Sequence, residues 1–439
     1  MFSKILIANR GEIAVRIIRA CKEMGVSTVA VYSSADKDSL FVSMADESFC
    51  IGGAKAKDSY LNMPAIMTAC TLSRAQAIHP GYGLLSENAR FAQLCTKCGV
   101  TFIGPPAEVI SKMGDKDEAR RTMKNAGIPV IPGSDLVNSV QEAQKIGKAL
   151  GYPVLIKAKA GGGGRGIRRV DTEEQIAKAY NDCVSEAQSA FGDGSVYIEK
   201  YLSHVKHIEV QIIADNYGNV AALGERDCSM QRRNQKLIEE SPASCITEDV
   251  RQKLSECSVA AAKAVGYRGV GTIEYLLDKD SNFYFIEMNT RLQVEHPVTE
   301  MVTGIDLVKW QIRVSCGKPI NFTKDEIRLK GCAIECRINS DNNAYERNTS
   351  IELLHVPGGP WVRFDTAIYQ GYKIPSFYDS LIGKLIVYAA TRQEAIRKMK
   401  AALSELIIKG VNTNVNQQLE LISSQEFTSG EYFTGTVGG

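Results

Sequence analysis

The sequence predicts an α/β region at the N-terminus followed by α+β regions, and three observations support this fold class. With 439 residues the chain is too long for one hydrophobic core, and at roughly 100 to 200 residues per domain about two to four domains are expected. Between Lys4 and about Gly114, short apolar runs alternate with helical patterns, as in βαβ units that build a parallel sheet. Later strand patterns are joined by short polar turns, which favours antiparallel pairing.

The N-terminal region is predicted to be Rossmann-like in shape. Its predicted strands are 5–8, 28–32, 75–78 and 101–103, and a helix that ends at Met24 follows the first of them. The turn after the first strand reads NRGEIA at 9–14 and lacks the three-glycine fingerprint of a dinucleotide site. The sequence therefore predicts the shape of that fold without its dinucleotide.

A turn-rich passage at 126–135 marks the entry to a second region. A strand at 153–158, a glycine run and a helix at about 172–190 are predicted first, and strands at 208–214, 220–223, 271–277 and 283–288 follow. A third region from about Gly331 contains predicted strands at 333–338 and 381–388 and a helix at 392–406. The polar end, 423–439, is expected to be loosely ordered.

Composition and charge exclude several classes of protein. The apolar fraction of 44% and the charged fraction of 23% are typical of a soluble globular chain. A net charge of +2 gives no electrostatic reason to expect nucleic acid or an anionic membrane as a partner. Neither a signal-peptide pattern nor an apolar stretch of about 18 residues is present, so we expect a cytoplasmic protein with reduced cysteines. Cys95 and Cys98 lack a second such pair, and buried free thiols are favoured over a zinc site.

Polar and apolar residues alternate over 287–295, and this segment is the strongest indication of function. A strand-like course would place two carboxylates, two amides and a guanidinium on one face, which suits a charged ligand such as a metal with an anion. Hairpin pairing would bring Glu274 to Glu287 and Asn289, and such hard oxygen donors suit Mg²⁺ or Mn²⁺. The alternative is a surface strand with solvated acids.

The same segment is too long to form one site if it is fully extended. It would then span roughly 26 Å at about 3.3 Å per residue, far beyond the contact distance of two reacting groups. We therefore interpret Glu287 and Asn289 as the end of a strand that holds metal. Arg291, Gln293 and Glu295 are then a bend around an adjoining anion.

A glycine run at 161–166 formally matches G-x-G-x-x-G, but no helix begins at its last glycine. Residues 167–170 resemble a returning strand, so the run is predicted to be a hairpin loop. Its backbone N–H groups could approach phosphates beside Lys157. A flexible linker is the alternative reading. The chain has no G-x-x-x-x-G-K-[ST], which excludes a P-loop nucleotide site.

Several long motifs resemble one known family. They are IANRGEIA at 7–14, HPGYGLLSEN at 79–88, QRRNQK at 231–236, IEMNTRLQVEHPVTE at 286–300 and ECRIN at 335–339. Over about residues 2–420 the chain resembles biotin carboxylase, the ATP-grasp subunit of acetyl-CoA carboxylase and related biotin-dependent carboxylases. The resemblance implies an ATP-grasp fold with a Rossmann-like domain at 1–114, an ATP-grasp domain at 115–320 with a mobile lid at about 132–203, and a mixed C-terminal domain at 321–439.

The resemblance also implies an activity, which is the ATP- and bicarbonate-dependent carboxylation of biotin through carboxyphosphate. Biotin would be held on a separate biotin carboxyl carrier protein, and the implied partners are carboxyltransferase subunits and a second copy of the chain. The implied cofactors are ATP and Mg²⁺ or Mn²⁺. The alternatives are the corresponding subunit of a pyruvate, 2-oxo-acid or other acyl-CoA carboxylase, and a non-catalytic regulatory paralogue.

The resemblance assigns roles to individual positions of this sequence. ATP would be contacted by Lys116, Lys157, Gly162, Gly163, Gly164, Gly166, Glu199, Lys200, Leu202, His207, Gln231, Asn234, Glu274 and Glu287. Metal would be held by Glu274, Glu287 and Asn289. Bicarbonate and biotin would meet Tyr82, Lys236, Arg291, Gln293, Val294, Glu295 and Arg337. Catalysis would depend on Lys236, Arg291, Glu295 and Arg337, with Glu295 as the base that deprotonates bicarbonate, Arg337 stabilising the biotin enolate and Tyr82 packing on biotin.

Three departures from the family pattern are visible. Asn234 stands where many relatives have His, and Lys159-Ala160 replaces the Ser-Gly that is common before the glycine run. Residues 344–351 lack the usual F-x-P-S-x-G sequence and are slightly shortened. Because this last segment closely follows Arg337, it affects the region expected to meet biotin and its carrier.

Overall fold

The computed structural model describes residues 1–159, 166–323, 326–340 and 350–438. The chain forms two compact units. The first unit consists of Met1–Gly114, Lys206–Glu274 and Met288–Gly439, and the second of Asp115–Val205 and Tyr275–Glu287.

The N-terminal part of the first unit is built around a parallel sheet. Its elements are β1 (Lys4–Ile7), α1 (Gly11–Glu23), β2 (Ser27–Tyr32), α2 (Leu40–Met44), β3 (Glu47–Cys50), α3 (Met63–Ser73), β4 (Ala77–His79), α4 (Ala89–Lys97), β5 (Thr101–Phe102) and α5 (Ala107–Gly114). The strand order is β3-β2-β1-β4-β5, and all four pairings are parallel. The predicted parallel sheet is confirmed; β3, which alternates half-buried and exposed residues at the sheet edge, was not predicted.

The second unit contains an antiparallel sheet of its own. Its elements are α6 (Lys116–Asn125), β6 (Gly133–Val137), α7 (Val140–Leu150), β7 (Val154–Ala158), β8 (Ile167–Val170), α8 (Ile176–Phe191) and β9 (Val196–Lys200). The order is β6-β9-β7-β8, and β7 pairs with β8 so that Lys157 lies opposite Ile167. The predicted hairpin is therefore present, while Ala160 and residues 161–165 of the glycine run lie outside the described residues.

The rest of the chain contributes a large sheet and its covering helices. The elements are β10 (Lys206–Ala214), β11 (Val220–Arg232), β12 (Gln235–Ser241), α9 (Glu248–Ala264), β13 (Gly269–Leu277), β14 (Phe283–Asn289), α10 (His296–Thr303), α11 (Leu307–Ser315), β15 (Cys332–Asn339), β16 (Leu353–His355), β17 (Val362–Thr366), β18 (Leu381–Ala389), α12 (Arg392–Glu405), β19 (Ile407–Lys409), α13 (Val415–Ser423) and α14 (Gln425–Ser429). The sheet order is β14-β13-β10-β11-β12-β15-β18-β17.

Strand β15 separates an apolar face of this sheet from a polar one. Ile334, Cys336 and Ile338 are buried in a hydrophobic core, while Glu335 and Arg337 alternate with them on the opposite face. Helix α10 packs on that opposite face through Val298 and other apolar residues. The polar side chains of the face are therefore buried between the sheet and a helix.

Two predictions of local structure were wrong. The strand predicted at 220–223 continues to Arg232, because the charged residues after Gly224 are buried and paired. The end of the chain is not loosely ordered over its described residues: Phe427 and Tyr432 are 1% and 2% exposed, and their rings stack 5.3 Å apart. The Tyr432 hydroxyl also donates a hydrogen bond to Glu240 at 2.8 Å.

Candidate active site

The segment that follows β14 bends and leads into helix α10. The strand ends at Asn289, the helix begins at His296, and Glu295 occupies the N-cap position without a side-chain capping hydrogen bond. The bend is held by Glu87, whose carboxylate accepts hydrogen bonds from the Thr290 backbone N–H at 3.0 Å and from Arg291 Nε at 2.8 Å. The predicted division of 287–295 into a strand end and a bend is confirmed.

Lys236 lies at the centre of a cluster of buried carboxylates. Its Nζ donates hydrogen bonds to Glu295 at 2.6 Å, Glu209 at 2.8 Å and Glu274 at 3.1 Å. Burial alone would lower the pKa of Lys236, but the three carboxylates raise it well above its ordinary value. Lys236 is therefore a fixed positive charge.

Glu295 is held between two cations. Its side chain is 1% exposed, and it accepts from Lys236 and, at 3.0 Å, from Arg337. Burial alone would raise the pKa of Glu295, but Lys236, Arg337 and Arg226 together hold it well below its ordinary value. The residue is thus an ionised carboxylate in a protected position, which can accept a proton, although the cations that keep it ionised also weaken its basicity.

Arg337 is positioned from its other side by Glu239. Its Nε donates to Glu239 at 2.6 Å, and the carboxylates around it raise its pKa further although burial opposes this. Glu239 lies directly opposite Glu335 in the β12–β15 register, and both are fully buried. Burial, reinforced by the Glu295 charge and opposed by Arg337, raises the pKa of Glu239 to about 7.

Glu274 is surrounded by hydrogen-bond donors. One carboxylate oxygen accepts from Asn289 Nδ2 at 2.9 Å and from Gln293 Nε2 at 3.0 Å, and the other lies 2.8 Å from His207 Nε2. Burial alone would raise its pKa, but Lys236 and His207 lower it far below the ordinary value. The expected meeting of Glu274 and Asn289 is present, and Glu287 is half-buried two residues earlier on β14.

The donor chemistry of this region fits a hard cation. Within the described residues, ligand atoms of His207, Glu209 and Glu274 lie within 4.8 Å of one another. Asn289 presents its amide nitrogen to Glu274, while its amide oxygen accepts from Arg291. Carboxylate and amide oxygens are the ligands that Mg²⁺ prefers. Of the predicted metal residues, Glu274 belongs to this set, whereas the assignment of Glu287 and Asn289 as metal ligands stays a prediction.

The residues predicted to bind bicarbonate form one continuous group. Arg291 donates to the side-chain oxygens of Gln293 at 2.7 Å and Asn289 at 3.0 Å, which fixes its guanidinium beside the bend. The Val294 carbonyl accepts from Lys384 Nζ at 2.8 Å. Together with Lys236 and Arg337 these contacts give a polar site in which three cations lie near two ionised acids, Glu274 and Glu295.

Sequence reasoning missed several residues that organise the site. Arg226 is fully buried and donates to Glu209 at 2.5 Å, to Gln211 at 2.8 Å and to Thr299 at 2.8 Å. His207, Glu209 and Gln211 alternate along β10, so the period of two that revealed 287–295 could also have found Glu209. Glu87, Glu239 and Lys384 were also missed, because their roles depend on contacts between distant segments.

Tyr82, predicted to pack on biotin, is half-buried beside this group. Its carbonyl accepts from Asn9 Nδ2 at 2.8 Å, and its hydroxyl donates to Glu12. Lys384 Nζ lies 5.9 Å from the centre of its ring. The loop after β4 is therefore fixed by the turn after β1.

The predicted nucleotide residues of the second unit form local contacts. Lys157 Nζ pairs with Glu199 at 2.5 Å, and Lys200 Nζ donates to the Gly151 carbonyl at 2.7 Å. Gly166 has φ of +71°, and a Cβ there would lie 2.7 Å from the Ala158 Cβ, so the position requires glycine. Lys116 is exposed at the start of α6 and Leu202 is half-buried, while Gly162, Gly163 and Gly164 lie outside the described residues.

The hairpin between β11 and β12 explains one departure from the family pattern. Arg233 and Asn234 both have positive φ, 51° and 63°, between the paired residues Arg232 and Gln235. A two-residue turn of this kind favours asparagine, which tolerates the left-handed region. Gln231 is 7% exposed just before the turn, whereas Asn234 is exposed. Residues 341–349, which include most of the altered 344–351 segment, lie outside the described residues.

Comparison with known proteins identifies the family. Three family models match the chain: "Biotin carboxylase, N-terminal domain" at residues 1–110, "Carbamoyl-phosphate synthase L chain, ATP binding domain" at 115–323 and "Biotin carboxylase C-terminal domain" at 335–438. Biotin carboxylase 1 of Bacillus subtilis is 54% identical over 439 residues, which cover 99% of this chain and 98% of the relative. The chain belongs to the biotin carboxylase family.

Two solved structures of biotin carboxylases have the same fold. The complex of the Campylobacter jejuni enzyme with β-γ-ATP matches with a TM-score of 0.94 and 50% identity, covering 99% of this chain and 98% of that one. The biotin carboxylase domain dimer of the Hydrogenobacter thermophilus 2-oxoglutarate carboxylase, in complex with MgADP, ADP and bicarbonate, matches with a TM-score of 0.92 and 48% identity, covering 99% and 97%.

These findings confirm the resemblance, the ATP-grasp fold class and the prediction of an ATP-dependent ligase of the biotin carboxylase type. None of the helices within the described residues combines the length and the apolar composition that a membrane span requires.

All twelve cysteines are free thiols, although Cys98 is exposed and not buried as expected.

Proposed function

We propose that this chain catalyses the carboxylation of biotin on a separate carrier protein, with ATP and bicarbonate as co-substrates and carboxyphosphate as the intermediate. The observation that carries the proposal is Glu295, an ionised and buried carboxylate held between Lys236 and Arg337. Family membership and the MgADP and bicarbonate complex of the 2-oxoglutarate carboxylase domain also support it.

In the first step bicarbonate is held by the positive charges of Lys236, Arg291 and Arg337. Glu295 takes the proton of bicarbonate, and the resulting oxyanion attacks the γ-phosphorus of ATP while ADP leaves. The three cations stabilise the charge that develops on the attacking anion, and because they are already paired in the protein they need little rearrangement.

In the second step carboxyphosphate breaks its C–O bond to give carbon dioxide and phosphate. The phosphate takes the proton from the ureido nitrogen of biotin, and the nitrogen then attacks carbon dioxide. Arg337 donates hydrogen bonds to the ureido oxygen and stabilises the enolate that forms. Tyr82 packs on the biotin ring.

Glu274, Glu287 and Asn289 are proposed to hold magnesium or manganese. When bound, the ion would neutralise negative charge on the phosphates of ATP. The residues proposed to contact ATP are Lys116, Lys157, Gly162, Gly163, Gly164, Gly166, Glu199, Lys200, Leu202, His207, Gln231, Asn234, Glu274 and Glu287. The three-domain division at 1–114, 115–320 and 321–439, with a lid at about 132–203, is part of the same proposal.

For the wider assembly we propose a cytoplasmic homodimer that works with a biotin carboxyl carrier protein and carboxyltransferase subunits of acetyl-CoA carboxylase, in fatty acid biosynthesis. The second candidate is the corresponding subunit of a 2-oxo-acid carboxylase, because the 2-oxoglutarate carboxylase domain matches along nearly the whole chain. Capture of the biotinylated carrier with tagged protein, followed by its sequencing, distinguishes the two.

The activity is tested by measuring ATP hydrolysis by the purified chain with Mg²⁺, bicarbonate and free biotin. The proposal predicts hydrolysis that requires bicarbonate and rises when biotin is added. If the protein binds Mg-ATP but shows no biotin-stimulated turnover, the proposed activity is wrong and the chain is a non-catalytic relative.

A further inference from the structure

Lys384 is a fully buried lysine on β18 whose position needs an explanation. It is 0% exposed, and lysine is almost never buried to this extent unless it is paired. In the sheet it lies opposite Arg337 on one side and opposite Asp365 on the other. Its side chain therefore rises from the centre of the polar face, beside the arginine that binds Glu295.

One contact of Lys384 reaches the bend of the active site. Its Nζ donates a hydrogen bond of 2.8 Å to the Val294 carbonyl, and Val294 directly precedes Glu295. A donor on this carbonyl fixes the plane of the Val294–Glu295 peptide, since a peptide unit is rigid and planar. Lys384 thereby sets the direction of the backbone from which Glu295 projects.

A second contact reaches the opposite side of the site. Lys384 Nζ lies 3.2 Å from Glu12 Oε1, and the Tyr82 hydroxyl donates to the same carboxylate. The lysine also lies 5.9 Å from the centre of the Tyr82 ring. One side chain therefore links the bend at Val294 to the tyrosine proposed to pack on biotin.

Stability alone does not account for a charged residue at this place. Taking an ammonium group out of water is costly, and well-packed apolar residues often replace buried ion pairs without loss of stability. Glu12, Glu335 and Asp365 raise the pKa of Lys384 although burial opposes this, so the charge is retained. What an apolar residue could not supply is the directed bond to Val294 and the partner for Glu12.

We propose that Lys384 is a positioning residue that aligns the bicarbonate-binding bend with the biotin-contacting Tyr82. This inference rests on the proposed function and deepens it, because it names a residue that controls how both substrates are held. Lys384 acts through Val294 and Glu12 and leaves the nucleotide residues unaffected.

The test is the variant Lys384→Met, which keeps an unbranched side chain one atom shorter and removes its donors. Steady-state kinetics with Mg-ATP, bicarbonate and free biotin should show KM values for bicarbonate and for biotin raised about ten- to hundredfold, the effect expected for loss of a hydrogen bond that involves a charge. The KM for ATP should stay within about twofold of the wild-type value. Lys398→Met is the matched control, because Lys398 also donates to backbone carbonyls, those of Tyr388 and Pro360. The KM values of this control variant should be unchanged.

Glu12→Gln tests the second contact separately and preserves size. It should raise the KM for biotin several-fold and affect the KM for bicarbonate less. The inference is overturned if folded Lys384→Met has KM values for bicarbonate and biotin within twofold of the wild-type values. It is also overturned if the KM for ATP rises as much as the other two. If Lys384→Met does not fold, an unchanged biotin KM in Glu12→Gln overturns it. An inactive wild-type enzyme would instead refute the proposed function itself.

Discussion

Replacing Glu295 by glutamine removes the proposed base while keeping nearly the same shape. The carboxylate accepts from Lys236 at 2.6 Å and from Arg337 at 3.0 Å, and it is 1% exposed. A glutamine can still accept one of these hydrogen bonds through its amide oxygen. It cannot take a proton from bicarbonate, so the chemical step should be lost while the site remains assembled.

The expected loss of catalytic rate can be estimated from the role of Glu295 as a general base. A positioned general base contributes about 10² to 10⁴ in rate, which corresponds to roughly 3 to 5 kcal/mol in the activation barrier. Stability should fall by less than the 3 to 5 kcal/mol that is usual when a buried ion pair is broken. The reason is that each cation keeps another carboxylate: Lys236 keeps Glu209 and Glu274, and Arg337 keeps Glu239.

The assay is bicarbonate-dependent ATP hydrolysis with free biotin, together with calorimetric titration of Mg-ADP. We expect kcat to fall at least 10²-fold and the Kd for Mg-ADP to stay within about threefold. Glu225→Gln is the matched control: Glu225 is 1% exposed and pairs with Arg251 outside the site, so kcat should be retained. A kcat within tenfold of wild type in Glu295→Gln would refute the assignment of the base, and loss of nucleotide binding would show that Glu295 has a different role.

Three further predictions concern pH, metal and stability. Burial, with the Glu295 charge nearby, raises the pKa of Glu239 to about 7, so its contribution to stability is full below about pH 4.5 and is lost as pH rises through 7. The free energy of unfolding, measured with denaturant, should therefore fall less between pH 5 and pH 8 in Glu239→Gln than in wild type. Glu274→Gln should raise the Mg²⁺ concentration for half-maximal ATP hydrolysis at least tenfold; an unchanged value would exclude Glu274 as a ligand. Tyr432→Ala should lower the free energy of unfolding by about 3 to 5 kcal/mol, because a 2% exposed ring is lost; a change below about 1 kcal/mol would contradict the packing of the chain end.

The sequence predicted most of the regular elements because their hydrophobic pattern is local. The parallel strands at the N-terminus are short apolar runs, and β15 and β18 were placed within one or two residues. Strand β11 was predicted too short because Glu225, Arg226 and Asp227 resemble a loop in sequence. Their charges are compensated by partners on other segments, such as Arg251 and Glu209, and a single-sequence pattern does not reveal such partners.

The candidate site was predictable where its residues are close in sequence. The alternation over 287–295 indicated both the strand end and the bend, and their positions in the structure agree with it. Glu239 and Lys384 were not found, because each functions through a residue about 90 or more positions away and shows no local periodicity that separates it from a structural residue. Family resemblance supplied roles for individual positions, whereas the tertiary contacts supply the reason that the charges at those positions are stable.

The central claim is that bicarbonate attacks the γ-phosphorus of ATP. It is tested most directly with bicarbonate labelled with ¹⁸O, Mg-ATP and free biotin, followed by mass spectrometry of the inorganic phosphate formed. Because carboxyphosphate breaks at its C–O bond, the oxygen that attacked phosphorus stays on phosphate, and the account predicts phosphate that carries one labelled oxygen per turnover. Phosphate without label, released at the same rate, would show that water attacks ATP and would contradict the mechanism.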